Sequence, residues 1–177
     1  MSYMICAVVA LIFVIRLAFL KISIKNEKAI LANGGKEYGA ANSKRITILH
    51  ILFYAAAPVE AVARNAQLDA FSWAGLVLMT FSMIMLYVVV NLLSGIWTVK
   101  LMLVKNHKFN NHWLFRVVKH PNYFLNIVPE LTGLVLLCHA WYAGSVLAPL
   151  YAVVLFLRIK EENALLRDVI IPNGISN

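Results

Sequence analysis

The stretch WAGLVLMTFSMIMLYVVVNLL, residues 73–93, contains no charged side chain and is long enough for a transmembrane helix. A helix needs about 20 predominantly apolar residues to cross the hydrocarbon core of a bilayer. Four further stretches have a similar character, although three of them contain an ionisable residue such as Arg16, His50 or Glu130. The sequence therefore predicts an all-α, polytopic membrane protein with about five transmembrane helices, at residues 4–20, 46–63, 73–93, 123–139 and 141–157.

The composition of the 177-residue chain agrees with this interpretation, with a mean hydropathy of +0.77, 62% hydrophobic residues and 14% charged residues. Soluble domains contain about 45–50% apolar and about 25% charged residues. So few charges cannot cover a water-soluble surface, whereas a bilayer accepts an apolar exterior. We expect one domain over residues 1–177, with the first span retained because it lacks the features of a signal peptide. The short segment 139–144 predicts that the last two spans form a C-terminal helix hairpin.

The formal net charge of +8 is concentrated in the connections that follow the first, third and fifth spans. These connections hold clusters of lysine and arginine, whereas the other two contain only Arg64 between them. Cytoplasmic loops of membrane proteins carry such an excess of basic residues. The pattern therefore predicts an outside N-terminus and a cytoplasmic C-terminus. We attribute the basic charge to topology and expect no nucleic-acid partner.

A polar stripe runs along the fourth predicted span. Tyr123, Asn126 and Glu130 fall at positions i, i+3 and i+7, on one face of a helix. A carboxylate inside the bilayer costs about 2.5–3.5 kcal/mol or more unless it is paired or hydrated. Pro129 also removes a helical hydrogen bond and leaves the carbonyl of Leu125 without its usual donor. The stripe could be a structural clasp between helices, but we favour the wall of a polar ligand cavity.

A second polar group lies just past the fifth span, where Arg158, Glu161 and Glu162 occupy positions i, i+3 and i+4. By itself this spacing indicates no more than a helix-end ion pair. The predicted hairpin, however, places it beside the start of the fourth span, where Pro121 suits the first helical turn. We therefore expect His120 and Arg158 to lie close together at the cytoplasmic end.

Histidines and cysteines do not predict a metal site or a disulfide. His107, His112 and His120 share one loop, but their spacing lacks a paired motif with a carboxylate between the histidines. Cys6 and Cys138 lie in separate predicted spans and form no ligand pattern. We expect no metal and interpret both thiols as small apolar core residues.

The two polar segments together resemble the signature of the isoprenylcysteine carboxyl methyltransferase family and its bacterial relatives. The matching residues are Lys119-His120-Pro121-Asn122-Tyr123, Glu130, and Arg158-Ile159-Lys160-Glu161-Glu162. The resemblance covers about residues 113–166. Lys119 replaces the usual arginine, and Leu125 stands where many members carry glycine. The short chain is similar to the compact prokaryotic branch, some of whose members methylate phenolic lipids such as alkylpyrones or alkylresorcinols.

The resemblance implies a membrane enzyme of a prokaryotic cell that transfers a methyl group from S-adenosylmethionine to an oxygen of a lipophilic or lipidated acceptor. The acceptor group would be a carboxylate or a phenolic hydroxyl. Arg158 would hold the acceptor and count as catalytic together with Glu162, while His120 or Glu162 would act as the base for a phenol. The implied cofactor-binding residues are His120, Pro121, Tyr123, Asn126, Glu130, Glu161 and Glu162.

Other functions remain open from the sequence. The chain could be a non-catalytic lipid-binding or assembly protein, or a phospholipid N-methyltransferase. A transporter or channel subunit would use Arg16 and Glu130 in an ion pathway, but no inverted repeat supports this. We expect Arg16 instead to extend its side chain toward the cytoplasmic interface. The pattern specifies neither the acceptor nor the oligomeric state.

Overall fold

The computed structural model describes residues 1–104 and 112–170, so Lys105, His107 and Lys108 of the sequence patterns lie outside the described part. Its elements are mostly helices, and they include two short strands and two π-helical turns. In chain order they are α1 Ser2–Ala32, β1 Lys36–Tyr38, α2 Ala40–Ala63, α3 Ala70–Leu92, β2 Leu101–Leu103, α4 Trp113–Val117, a π-helical turn Asn122–Ile127, α5 Val128–Cys138, α6 Trp141–Leu165 and a second π-helical turn Leu166–Ile170.

The prediction of a polytopic helical membrane protein is confirmed. Within the described residues, four helices are long and apolar enough to cross a bilayer, namely α1, α2, α3 and the helical stretch Trp141–Asp168. The fourth predicted span corresponds to Asn122–Cys138, which is apolar but shorter than the other four. It combines the first π-helical turn with α5. The N–H of Val128 binds the carbonyl of Tyr123, five residues earlier, and this wider turn precedes Pro129.

Helix ends follow local sequence signals. The α1 helix continues past the first predicted span and ends at Ala32, as the Asn33-Gly34-Gly35 sequence predicts. Gly34 has a φ of +80°, a conformation that glycine adopts without steric cost. At the start of α3 the side chain of Asp69 accepts a hydrogen bond from the N–H of Ser72, a common N-terminal cap. These signals act within a few residues, so the sequence alone predicts them.

The two C-terminal helices pack mainly against different neighbours. The turn His139-Ala140 joins α5 to α6, but α5 lies chiefly against α3, and α6 lies chiefly against α2. The backbones of α3 and α5 approach closely, because a Cβ atom on Gly133 would lie only 2.7 Å from the carbonyl oxygen of Gly75. Small residues permit such close packing between membrane helices. The expected hairpin is present, because a short turn joins α5 to α6, but the two helices contact each other less than they contact α3 and α2. Helix α2 contacts both of them.

A small β-ribbon joins the connection after α1 to the connection after α3. Strands β1 and β2 are antiparallel, with Lys36 opposite Leu103 and Tyr38 opposite Leu101. Lys100 strengthens this link, since its Nζ lies 2.6 Å from a carboxylate oxygen of Glu27 in α1. The ribbon thereby holds the segment before β2 across the end of α1 and next to the end of α6.

Candidate functional site

A cavity of about 740 Å³ lies where the polar motifs meet. Its walls are the end of α3, the segment 96–103, part of α4, the start of the first π-helical turn and the end of α6. Cavities that hold small ligands commonly have volumes of roughly 300–1,000 Å³. The lining combines apolar side chains such as Leu93 and Phe115 with charged ones such as Lys119 and Glu162. This mixture suits a ligand with both polar and apolar parts.

His120 connects the two sequence motifs across this cavity. Its imidazole is 4% exposed, with Nδ1 at 3.1 Å from a carboxylate oxygen of Glu162 and Nε2 at 3.0 Å from Oδ1 of Asn163. Burial alone would lower the pKa of His120. The carboxylate of Glu162 close to Nδ1 outweighs burial, with help from Asn163, so the pKa lies above its usual value. The protonated ring forms an ion pair with Glu162 through Nδ1 and can donate a hydrogen bond to Asn163 through Nε2.

Arg158 is a buried cation in the cavity wall, with an exposed fraction of 3%. Its Nε donates to the hydroxyl of Tyr123 at 3.2 Å, and its Nη1 donates to Oγ of Ser43 at 2.7 Å. Its Nη2 donates more weakly to the carbonyl of Val99 at 3.4 Å. Across residues 1–104 and 112–170, none of the ion pairs includes Arg158. A buried charge is costly without a counter-charge, so this site favours an anionic ligand.

The structure divides the residues singled out from the sequence into two groups. Those that line the cavity are His120, Pro121, Tyr123, Arg158 and Glu162. Asn126, Glu130 and Glu161 are not among the lining residues. The expected proximity of His120 and Arg158 is confirmed, because both lie in the wall of the same cavity.

Glu130 points into the helix bundle and takes part in a buried polar cluster. Its carboxylate accepts a hydrogen bond from the hydroxyl of Tyr54 at 2.5 Å and another from the guanidinium of Arg16. His50 contributes a ring nitrogen 3.6 Å from the same carboxylate. These contacts match the clasp between helices, the alternative we did not favour for the polar stripe. The expectation that Arg16 reaches the cytoplasmic interface is wrong, because its charge compensates that of Glu130.

Asn126 and Glu161 each bind a neighbouring protein group through one polar atom, while Oδ1 of Asn126 and Oε2 of Glu161 are buried without a hydrogen-bond partner among the described residues. The amide of Asn126 donates to Oδ1 of Asn122 on the preceding turn of its own helix at 3.1 Å. The carboxylate of Glu161 accepts a hydrogen bond from Nδ2 of Asn42 in α2 at 2.8 Å. The two adjacent glutamates of this motif therefore have different surroundings, since Glu162 lines the cavity while Glu161 contacts α2.

Asn163 and Trp97 are two of the lining residues that were not predicted as site residues from the sequence. Asn163 follows the paired glutamates directly, so its place beside Glu162 on the helix could have indicated its contact with His120. Trp97 lies in the segment before β2, and no local pattern marks it. Its indole nitrogen is buried and has no hydrogen-bond partner among the residues that the structure describes. Such an unused donor next to a cavity can bind an acceptor atom of a ligand.

Comparisons with known proteins bear on the same region. The sequence model of the isoprenylcysteine carboxyl methyltransferase family matches residues 74–168, just over half of the 177-residue chain. An uncharacterized protein of Haemophilus influenzae is 44% identical over 155 residues, which cover 88% of this chain and 90% of the relative. The uncharacterized protein YpbQ of Bacillus subtilis is 26% identical over 161 residues, covering 90% of this chain and 95% of YpbQ. No solved structure matches the chain.

Proposed function

Since the chain belongs to the isoprenylcysteine carboxyl methyltransferase family, we propose that it transfers the methyl group of S-adenosylmethionine to an oxygen atom of a lipophilic acceptor in the membrane. The family uses S-adenosylmethionine, which supplies an electrophilic methyl group on a positively charged sulfur. The observation that carries the proposal is the buried guanidinium of Arg158, which lies without a carboxylate partner among the described residues in the wall of the cavity.

The residues of the cavity fit the methyl donor. Its ammonium and ribose hydroxyl groups need acceptors, and Glu162 provides a partly exposed carboxylate. Its carboxylate needs a cation, which Lys119 or Arg116 could provide from the same wall. The buried indole N–H of Trp97 could donate to a nitrogen or oxygen of the donor molecule. Glu162 would thus hold the cofactor, and its ion pair with His120 would fix the direction of its carboxylate.

Arg158 would bind the acceptor through a carboxylate or a phenolate. Its fixed fork of N–H groups suits planar oxyanions, and a buried site strengthens the attraction. Holding an oxyanion beside the methyl donor provides the positioning that displacement at a methyl carbon requires. A carboxylate acceptor needs no base because it is already ionised. A phenol does need one, and Glu162 suits that role better than His120, because the raised pKa of His120 favours its protonated form.

The setting of the cavity supports a lipophilic acceptor. Apolar residues from the end of α3 and from β2, such as Val89, Leu93 and Leu101, line the cavity beside the charged groups. An acceptor with a hydrocarbon chain could therefore keep its chain in an apolar environment while its polar head reaches Arg158. We propose that residues 1–177 form one integral membrane domain in a prokaryotic cell membrane. The cavity would open on the cytoplasmic side.

The first test is calorimetric titration of the detergent-purified protein with S-adenosylmethionine and with S-adenosylhomocysteine. We expect saturable binding of both, a strong loss for Glu162→Gln, and normal binding for the control Glu60→Gln. Glu60 is a suitable control because its carboxylate binds the backbone N–H groups of Tyr142 and Ala143, near the opposite end of α6. No binding by a folded sample would contradict the proposal and favour a non-catalytic lipid-binding protein.

The acceptor atom can be identified by transferring labelled methyl groups into lipids extracted from host membranes. We expect Arg158→Gln to abolish transfer while donor binding persists. Label that mild alkali releases as methanol would indicate a methyl ester and hence a carboxylate acceptor, whereas alkali-stable label in a phenolic lipid would indicate an ether. Label in a lipid amine would contradict methylation at oxygen and support the phospholipid alternative.

A further inference from the structure

Arg158 is held by side chains from separate parts of the chain. Tyr123 belongs to the same motif region, but Ser43 lies near the start of α2, well before residue 74, where the match to the family begins. The contact from Ser43 is also the shortest that Arg158 makes, at 2.7 Å. The N-terminal part of the chain thus contributes directly to the environment of the proposed acceptor-binding group.

The hydroxyl of Ser43 is oriented so that it accepts from Arg158. A serine hydroxyl has one proton to donate and two lone pairs that can accept. Ser43 donates its proton to the carbonyl oxygen of Gly39, one turn earlier, at 3.2 Å. Its lone pairs therefore remain for Nη1 of Arg158. Ser43 is buried, so water does not compete for this contact.

The residue next to Ser43 makes a parallel contact with the same helix. Asn42 donates to Glu161, and its own Oδ1 accepts a hydrogen bond from Arg45 at 2.9 Å. Arg158 and Glu161 are one helical turn apart, so two consecutive residues of α2 bind two successive turns of α6. This double attachment fixes the rotation of α6 about its axis and hence the direction of Arg158.

Gly39 leaves room for the carboxylate of Glu161 at the start of α2. Its φ is +56°, and a Cβ atom at this position would collide with the carboxylate of Glu161. A residue with a side chain would therefore displace the carboxylate of Glu161 and disturb its hydrogen bond with Asn42. The sequence Gly39-Ala40-Ala41-Asn42-Ser43 thus combines one residue that makes room for Glu161 with two that bind α6.

We infer that Ser43 is a positioning residue for methyl transfer, because it holds the guanidinium of Arg158 in the direction that an acceptor oxyanion requires. The inference rests on the proposed function. It assigns a role in the reaction to the segment 39–43. Ser43 does not line the cavity, so its effect passes through Arg158 and leaves the contacts of the methyl donor in place.

The test compares Ser43→Ala with Ser43→Thr, which keeps the hydroxyl, and with the control Thr47→Ala. Thr47 is exposed, and its hydroxyl donates to the carbonyl of Ser43 in its own helix. We expect Ser43→Ala to lower kcat/KM for the acceptor about 10-fold or more, since a hydrogen bond to a charged group is lost. Its Kd for S-adenosylhomocysteine should stay unchanged, Ser43→Thr should recover activity, and Thr47→Ala should behave as the original chain.

A second readout does not depend on activity. The Nε–H signal of Arg158 in NMR spectra of ¹⁵N-arginine-labelled protein, assigned by its loss in Arg158→Lys, should be sharp in the original chain and in Ser43→Thr. It should broaden in Ser43→Ala. Equal signals in all variants, or loss of donor binding together with activity in Ser43→Ala, would overturn the inference. If the original chain binds no donor, the proposed function fails, while the NMR signal still tests whether Ser43 orients Arg158.

Discussion

The carboxylate of Glu130 in α5 accepts a hydrogen bond from the guanidinium of Arg16 in α1, 114 positions earlier in the chain. Glu130 has no exposed side-chain surface, whereas Arg16 is 18% exposed. His50 and Tyr54 of α2 complete the cluster around the carboxylate. The cluster therefore joins three helices, α1, α2 and α5, within the apolar part of the bundle. Because both charges are compensated inside the protein, neither is left for a ligand in the cavity.

Removing one member of this pair should destabilise the protein strongly. In Glu130→Leu the guanidinium of Arg16 loses its counter-charge in an apolar environment, and the loss of one partner from a buried pair costs about 3–5 kcal/mol. The double variant Arg16→Met with Glu130→Leu should recover much of that stability, since neither charge remains. The measurement is the free energy of unfolding in mixed micelles as denaturing detergent increases.

The conservative variant Glu130→Gln separates the clasp from a ligand role. It keeps the size of the side chain and its capacity to bind Tyr54, but it removes the charge that compensates Arg16. We therefore expect reduced stability with an unchanged Kd for S-adenosylhomocysteine. A variant with normal stability and lost donor binding would instead place Glu130 among the cofactor-binding residues.

The ion pair between His120 and Glu162 should make stability depend on pH. Since the folded-state pKa of His120 is raised, its stabilising effect is complete below the unfolded value of about 6.5 and is lost as pH rises through the higher folded value. The difference in Tm between the original chain and Glu162→Gln should therefore be largest in mildly acidic solution and shrink at alkaline pH. Thermal unfolding across this range provides the measurement, and a difference independent of pH would show that His120 stays neutral.

The membrane orientation can be tested with reporters at both ends of the helices. A fluorescent protein fused after Asn177 should fluoresce, because it folds in the cytoplasm. A phosphatase inserted in the connection 64–69, between α2 and α3, should be active, because it lies outside. The first fusion also tests the short helix Asn122–Cys138. If that helix does not cross the bilayer, the ends of α6 exchange sides and the reporter after Asn177 lies outside.

Local features of the sequence predicted the helices and half of the site. Apolar length marked the spans, and the sequence Asn33-Gly34-Gly35 marked the end of α1, because these signals depend only on neighbouring residues. The motif around His120 precedes the fourth predicted span, and the motif around Arg158 follows the fifth. A short turn joins these two antiparallel spans, so both motifs lie at the same end of the hairpin. Their meeting therefore followed from chain length and helix geometry alone.

The short β-ribbon escaped prediction because each of its strands has only three residues and becomes regular only through its partner. Trp97 and the backbone of Val99 lie in the segment just before β2. They reach the cavity because the ribbon holds this segment against the end of α1. Pairing between loops that are far apart in sequence leaves no periodic signal in either loop, since it depends on where the helices place their ends.

The sequence by itself predicted that Tyr123, Asn126 and Glu130 share a helix face, but the tertiary structure decided which neighbours each of them meets. In a soluble protein the apolar face of a helix points inward, so the pattern also indicates direction. In a bilayer the outside is apolar as well, and the pattern loses this information. Only the packed bundle shows that Glu130 meets Arg16 and that Ser43 meets Arg158, because both pairs depend on how α1, α2, α5 and α6 are rotated against one another.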